Sequence, residues 1–214
     1  MPRLHTTPYY RIHPDPTWTA GAIAEIELLN ETHAEPDHEK LREVITRYVR
    51  HTRAKVLLCS EMAYHVELQQ RLLFDGLADD VKSHVVNRET YWPNDEAAAV
   101  YRHADGLIGC ECHLPILCAV NGVTGFYVRQ PQDTIKGQMY YDLALNDRIA
   151  EIEQVDGSML ADKFMRLIDD PNDASIRLSA SMEKAHAVLA RAVSSLITVI
   201  SMPGDHRSAS PTVS

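Results

Sequence analysis

A short apolar run that ends in a glycine and leads at once into a new helix is the feature that most constrains this chain. Residues 104–117 read Ala-Asp-Gly-Leu-Ile-Gly-Cys-Glu-Cys-His-Leu-Pro-Ile-Leu. The order predicts a strand ending at Gly109, a tight turn, and a helix from Pro115. In open α/β sheets, ligands bind at the carboxyl ends of strands, where helix N-termini offer free N–H groups. His113, at the turn, is therefore a candidate site residue.

Short apolar segments alternate with segments of helical spacing along the whole chain. The predicted strands are 4–12, 55–59, 84–86, 106–109 and 123–128. The predicted helices are 37–49 with Asp37 as its cap, 62–73, 95–103, 115–120, 136–145, 159–168 and 173–200, and 20–29 in an otherwise ambiguous segment. The alternation suits right-handed crossovers and predicts an α/β fold, a doubly wound parallel sheet of Rossmann type with helices on both faces. The last helix is expected to pack against the domain, because no clean heptad persists along it.

Length and charge restrict the class of protein. The 214 residues fit one domain over 1–200, and the Ser- and Pro-rich segment 203–214 is predicted to be disordered. Hydrophobic residues make up 45% and charged residues 24%, as in ordinary globular domains. The net charge of −9 argues against a nucleic-acid partner, because phosphate-driven binding needs a basic surface. No apolar run approaches the ~20 residues of a membrane span, and we expect a cytoplasmic protein.

The cysteines predict reduced thiols rather than disulfides. They are few and lie in or beside apolar segments: Cys59, Cys110, Cys112 and Cys118. The pattern Cys110-x-Cys112-His113 is compatible with zinc only if a fourth ligand is brought near. Burial as small hydrophobic side chains is the simpler interpretation, so we predict neither a metal nor a cofactor.

Most candidate side chains follow predicted strands, and their turns should converge at one edge of the sheet. They are Arg11, His13, Glu61, Arg88, His113, Arg129, Gln132 and Lys136. Such a cluster suits binding of a carboxylate or phosphate with acid–base help, although loop residues are polar in any case. Lys136 is unfavourable at the start of a helix unless it meets an anion. Neither a G-x-G-x-x-G motif nor a phosphate-binding P-loop is present, which leaves nucleotide binding of those two kinds unsupported.

The stretch 104–145 resembles the C-terminal half of polysaccharide pyruvyl transferases. That family carries an Ala-Asp-x-x-Ile-Gly run, a histidine four residues after the glycine, an apolar helix, a Gly-Val strand and a lysine segment ahead of Asp-Leu-Gly-Leu. The counterparts are Ala104-Asp105, Ile108-Gly109, His113, Gly122-Val123, Lys136-Gly137 and Asp142-Leu-Ala-Leu145. Weaker similarity at 3–12, 37–42, 56–61 and 91–97 extends the resemblance over most of 3–190.

The resemblance implies one half of a two-Rossmann-domain architecture, like that of glycosyltransferases of the B type (GT-B). The polysaccharide pyruvyl transferases move the enolpyruvyl carbons of phosphoenolpyruvate onto two saccharide hydroxyls as a ketal. His113 would be a general acid or a phosphate contact, and Lys136 would lie near the donor. Glu61 or Glu111 would act as base. The implied substrate-binding set is Arg11, His13, Arg88, Arg129, Gln132 and Lys136.

Two departures from the family pattern open alternatives. Glu111 stands where many members have an arginine, and a carboxylate there repels a doubly anionic donor. The donor is then held by other cations, or it is a different molecule, such as the nucleotide sugar of a glycosyltransferase-like enzyme. Full members also have an N-terminal domain of comparable length. We therefore expect a missing N-terminal domain partner or a homodimer, and a non-catalytic binding or assembly module is the third hypothesis.

Overall fold

Six parallel strands form the centre of the molecule. The computed structural model describes residues 21–25, 34–60, 62–63, 65–133 and 135–201, with the backbone alone for 21–25, 34–36 and 132. The strands are β1 (Gly21–Glu25), β2 (Lys55–Leu58), β3 (Val85–Asn87), β4 (Gly106–Gly109), β5 (Thr124–Arg129) and β6 (Ile149–Glu151). They lie in the order β3-β2-β1-β4-β5-β6, and each neighbouring pair is parallel.

Helices connect successive strands. They are α1 (Ala34–Thr52), α2 (His65–Gln69), α3 (Asp79–Lys82), α4 (Asn94–Tyr101), α5 (His113–Val120), α6 (Gln138–Asp142), α7 (Gly157–Asp169) and α8 (Pro171–Ser201). A π-helical segment, Gln70–Phe74, continues α2 directly. Three short 3-10 turns follow β5 and flank β6, at Pro131–Asp133, Asn146–Arg148 and Ile152–Gln154.

This strand order is that of a doubly wound Rossmann-like sheet, so the predicted fold class is confirmed. Within the described residues, the chain winds outward from β1 to β3, and then returns to the other side of β1 to form β4. In β4, Leu107 packs with α4 and α5 side chains and Ile108 packs with those of α1 and α7. Helices therefore cover both faces. The direction of winding reverses between β1 and β4, where such sheets leave a crevice at the carboxyl ends of the strands.

Two strands differ from the sequence prediction. The segment 20–29 was expected to be helical, but Gly21–Glu25 is a strand that pairs with β2 on one side and β4 on the other. Its alanines favour a helix locally, and pairing on both sides overrides that preference because a central parallel strand needs no polar alternation. The three-residue β6 was not predicted, since it is too short to show a period and lies between two 3-10 turns.

Helix boundaries moved where local signals were weak. Helix α1 begins at Ala34, so Asp37 lies inside its first turns and pairs with Lys40 at 3.5 Å instead of capping it. The helix predicted at 136–145 is only Gln138–Asp142, and Lys136 lies in the preceding turn. The predicted strand 4–12 and tail 203–214 lie outside the described residues.

Only the first part of α8 packs against the domain, contrary to the sequence prediction. Leu178 is buried with Met182 against it, whereas every residue of 186–201 is exposed. Helix α8 is also long enough to cross a membrane, and one 18-residue window in it is apolar enough, with a mean hydropathy of 1.2, where the sequence analysis expected no such segment. One helix of this kind is weak evidence for a membrane span.

Candidate functional site

The turn between β4 and α5 lies at the carboxyl edge of the sheet, beside the point where the winding reverses. Three residues, Cys110, Glu111 and Cys112, separate the end of the strand from the start of the helix at His113. Helix α5 sits very close to β5, because a Cβ at Gly125 would lie 2.5 Å from the Pro115 carbonyl oxygen. A glycine at position 125 thus lets the first turn of α5 pack closely on β5.

Glu111 is the centre of the site. Its side chain is only 10% exposed, yet one carboxylate oxygen, Oε1, lies 2.6 Å from Nδ1 of His113. The same oxygen accepts the Cys112 thiol and the backbone N–H of His113, each at 3.4 Å. The other oxygen, Oε2, lies 3.6 Å from Nζ of Lys136. A buried carboxylate therefore fixes the turn from inside and draws two basic side chains to its outer side.

Lys136 is placed by a second buried carboxylate. Asp133 accepts the Tyr127 hydroxyl at 2.6 Å and the Gln130 backbone N–H at 2.8 Å. Its other oxygen lies 3.9 Å from the Lys136 ammonium. The 3-10 turn after β5 is thus tied to the strand, and it directs a lysine that is 39% exposed towards Glu111.

Burial keeps the Cys112 thiol and the Tyr127 hydroxyl protonated. Burial, reinforced by the charge of Glu111, raises the pKa of the Cys112 thiol to about 12. Burial, followed by the hydrogen bond to Asp133, raises the pKa of Tyr127 as well. Both groups therefore act as hydrogen-bond donors at neutral pH, and the negative charge of the site belongs to the two carboxylates.

Glu111, Cys112 and His113 each place one metal-ligating atom within 4.8 Å of the others. Their present arrangement is a hydrogen-bonded one. Nδ1 of His113 is at hydrogen-bond distance from the carboxylate, and the thiol is protonated. Cys59 could join a zinc site only if the fold brought it near, but it contacts the Tyr101 hydroxyl and belongs to a different core cluster from Cys112.

Two histidines that the sequence analysis did not single out lie behind the site. His38 in α1 and His65 at the start of α2 are both buried. Burial lowers the pKa of His65, the Glu111 charge raises it, and His38 lowers it further. These residues follow β1 and β2 respectively, so the carboxyl edge brings them close to Glu111. The sequence offered one sign of them, because each histidine lies near the start of a helix that follows a strand.

The other predicted site residues lie apart from Glu111 or outside the described part of the chain. Arg88, after β3, pairs with Glu96 at 3.6 Å and covers the ring of Trp92. Arg129, at the end of β5, pairs with Glu151 of β6 at 2.8 Å. The structure does not describe the remaining candidates: Arg11, His13, Glu61 and the side chain of Gln132.

The cluster can bind a ligand through both signs of charge. The His113 side chain is 65% exposed, and its Nδ1 faces Glu111, which leaves Nε2 as the ring nitrogen available to a ligand. Lys136 offers ammonium donors beside it, and the carboxylates can accept hydroxyl hydrogen bonds. Such a site suits a molecule with both anionic oxygens and hydroxyl groups.

Two solved structures share the fold of this chain. One is a glycotransferase of kitacinnamycin, with 19% sequence identity and a TM-score of 0.53 over 87% of this chain and 43% of that chain. The other is the E. coli heptosyltransferase WaaC with ADP, with 15% identity and a TM-score of 0.50 over 73% of this chain and 46% of that chain. The chain has the fold of one half of a GT-B glycosyltransferase and spans less than half the length of each structure. No protein-family model and no curated protein sequence matches it.

Proposed function

We propose that this chain is the donor-binding half of a glycosyltransferase, and that its donor is a nucleotide sugar. The observation that carries the proposal is the Glu111 cluster, in which a buried carboxylate holds His113 and Lys136 at the carboxyl edge of the sheet. That edge, beside the reversal of winding, is where Rossmann-like sheets bind their ligands. The likeness in fold to two glycosyltransferase structures supports the class of reaction.

In this reaction an acceptor hydroxyl attacks the anomeric carbon of the donor sugar. The bond from that carbon to the phosphate oxygen breaks, and the nucleoside diphosphate leaves with the electron pair, while the hydroxyl proton passes to a base. Lys136, and His113 when both of its ring nitrogens are protonated, would donate hydrogen bonds to the diphosphate oxygens and stabilise the charge that develops on them. The second half of such an enzyme would supply the facing wall of the cleft.

The balance of charges distinguishes between donor classes. Glu111 and Asp133 lie within 4 Å of Lys136, so the cluster has no excess of positive charge to attract a compact polyanion. Phosphoenolpyruvate carries a phosphate and a carboxylate but no hydroxyl to donate to Glu111. A nucleotide sugar carries hydroxyls on both sugar rings, which can donate to the carboxylates while the diphosphate meets His113 and Lys136.

Pyruvyl transfer from phosphoenolpyruvate to a saccharide is the second candidate. One observation favours it: the two residues that match the polysaccharide pyruvyl transferase motifs, His113 and Lys136, converge on one carboxylate although 22 residues separate them in the sequence. In that reaction His113 would protonate the enol carbon or hold the phosphate. The third hypothesis, a non-catalytic assembly module, predicts that neither donor binds.

Ligand binding by the intact chain separates the three hypotheses. We expect nucleoside diphosphates or their sugars to raise the unfolding temperature, since a ligand at 100 times its Kd stabilises by about 2.7 kcal/mol. Calorimetric titration should show at least a tenfold weaker affinity in His113→Ala. His103→Ala is the matched control, because His103 is also exposed but precedes β4, at the opposite edge of the sheet. Stabilisation by phosphoenolpyruvate alone would favour pyruvyl transfer, and binding of neither donor would favour the assembly module.

Glu111→Gln gives a test whose sign differs between the two donors. Glutamine keeps the size of the side chain and removes its charge. If ligand hydroxyls donate to Glu111, nucleotide-sugar affinity should fall about tenfold, as expected for a lost charged hydrogen bond. If phosphoenolpyruvate is the donor, its affinity should rise, because a repulsive charge is gone. Titration of both ligands into both proteins measures the sign directly.

A further inference from the structure

The distal part of α8, residues 186–201, is an amphipathic helical segment that follows the part of α8 packed on the domain. Every residue in it is exposed, including Leu196 at 59% and Ile200 at 73%. Leu189, Val193, Leu196 and Ile200 recur at spacings of four, three and four, which places them on one face. The opposite face carries Arg191, Ser194 and Thr198. A surface helix with an apolar face of this kind normally buries it against another element.

This exposed face is the continuation of the face that already packs on the domain. Leu178 and Met182 pack on the core cluster under α6 and α8. Leu196 and Ile200 stand eighteen residues after them, which is five full turns of an α-helix, so each pair shares one direction. Whatever covers the distal segment must therefore lie on the same side of α8 as the domain, directly beyond it.

That direction restricts how a second copy of the chain can bind. In a parallel pair, the partner helix would run back along this face of α8 and enter the space that the protein's own domain fills. In an antiparallel pair, the partner helix leads away from that domain, and its own domain lies at the far end. Of these two arrangements, only the antiparallel one keeps the partner helix clear of the part of the domain that the structure describes.

The spacing of the apolar residues suits the same arrangement. A four-three-four pattern reads the same in both directions, so an antiparallel two-fold pair sets Leu189 against Ile200 and Val193 against Leu196. The flanking positions are also apolar or small, at Ala190, Ala192, Ile197 and Val199. No like charges therefore face each other across the contact. The segment is about 24 Å long, so one helix pair over its full length carries seven large apolar side chains from each chain.

We propose that residues 186–201 of α8 bind the same segment of a second copy of this chain, antiparallel and about a two-fold axis. The contact is isologous, with one surface pairing with itself, as in most homodimers.

Light scattering after size-exclusion chromatography of the intact chain tests the proposal. We expect a particle of twice the 24.1 kDa chain mass at tens of micromolar. Leu196→Glu should shift it to a single chain without loss of folding, because the side chain is 59% exposed in the single chain. Ser194→Glu, on the polar face, is the matched control and should leave the dimer unchanged. A monomeric parent chain, or equal effects of the two variants, would overturn the proposal.

Cross-linking tests the orientation, and lipid binding tests the main rival. Oxidised mixtures of Leu189→Cys and Ile200→Cys chains should form mixed disulfide dimers, since the four native cysteines are buried. Leu189→Cys alone should not cross-link, and if it does, the pair is parallel and the proposal fails. Co-sedimentation with vesicles of equal parts phosphatidylcholine and phosphatidylglycerol should show no binding. Binding that depends on Leu196 would instead assign this face to a membrane surface.

Discussion

Two carboxylates each hold a basic side chain, Glu111 in the turn after β4 and Glu96 in the helix after β3, but only one of these arrangements is open to a ligand. After β4, Glu111 is buried and its partners His113 and Lys136 face outward. After β3, by contrast, the basic side chain is buried together with the acid. The Arg88 side chain is largely buried and its guanidinium covers the ring of Trp92 at 4.4 Å, while it pairs with Glu96 at 3.6 Å.

Both basic residues, Arg88 and His113, follow a strand of the sheet, so their positions in the sequence do not distinguish them. What distinguishes them is whether the basic side chain itself is buried or exposed. Burial lowers the pKa of Arg88 and raises that of Glu96, so each group is held in an environment that disfavours its charged form. Such a pair contributes to packing and is not free to bind an anion. The Glu111 cluster instead buries its carboxylate and exposes two basic side chains, which are the groups that bind phosphate oxygens.

The largest effect on stability should come from Trp92→Ala. The indole is buried and meets the Tyr101 ring edge-on at 5.6 Å. Removing it should lower the free energy of unfolding by about 3–5 kcal/mol, measured by urea titration, as expected for a large core truncation. Tyr91→Ala is the control, because this neighbouring aromatic is exposed and should cost within about 0.5 kcal/mol. A loss below about 1 kcal/mol for Trp92→Ala would contradict the buried environment described for the Arg88–Glu96 pair.

Arg88→Met should have an intermediate effect that depends on pH. Burial raises the pKa of Glu96 and Arg88 opposes that rise, so removing the arginine should raise the pKa further. An acid with a raised pKa in the folded state stabilises the fold at low pH and loses that contribution as pH rises through the folded-state pKa. The deficit of the variant should therefore be small near pH 4 and reach about 1–3 kcal/mol at pH 7, as for a buried charge left without its partner.

A second substitution separates charge from packing at this position. Glu96→Gln in the Arg88→Met background removes the unpaired charge and should recover most of the stability lost at pH 7. Urea unfolding at several pH values measures both variants. A deficit that is the same at pH 4 and pH 7 would assign the role of Arg88 to its contact with Trp92 alone.

The sequence carried the parts of the fold and the site that depend on local order. The apolar run that ends at Gly109, followed by His113, predicted the β4–α5 turn and its place at the sheet edge. That His113 and Lys136 share the Glu111 carboxylate is visible only in the structure. Lys136 reaches Glu111 because Gly125 lets α5 approach β5 and because Asp133 ties down the next turn. Neither contact leaves a periodic signal.

Long-range pairing also decided the two largest errors. The segment Gly21–Glu25 has helix-forming residues, and it is a strand because β2 and β4 pair with it on both sides. The distal half of α8 has the apolar spacing of a packed helix, but the domain ends before it does. In both cases the apolar residues are evident in the sequence. The sequence does not show which other element, if any, packs against them.

The smallest effect on stability should come from the residue with the largest expected effect on binding. The His113 ring is mostly exposed, and its removal leaves Glu111 with the Cys112 thiol, a backbone N–H and Lys136. His113→Ala should therefore change the free energy of unfolding by no more than about 0.5 kcal/mol, similar to His103→Ala, in urea titrations of both variants. A loss above about 1.5 kcal/mol would show that the Glu111–His113 pair anchors the start of α5, as the Arg88–Glu96 pair anchors its own turn. A negligible loss together with weakened nucleotide binding would distinguish the exposed cluster from the buried one by function as well as by depth.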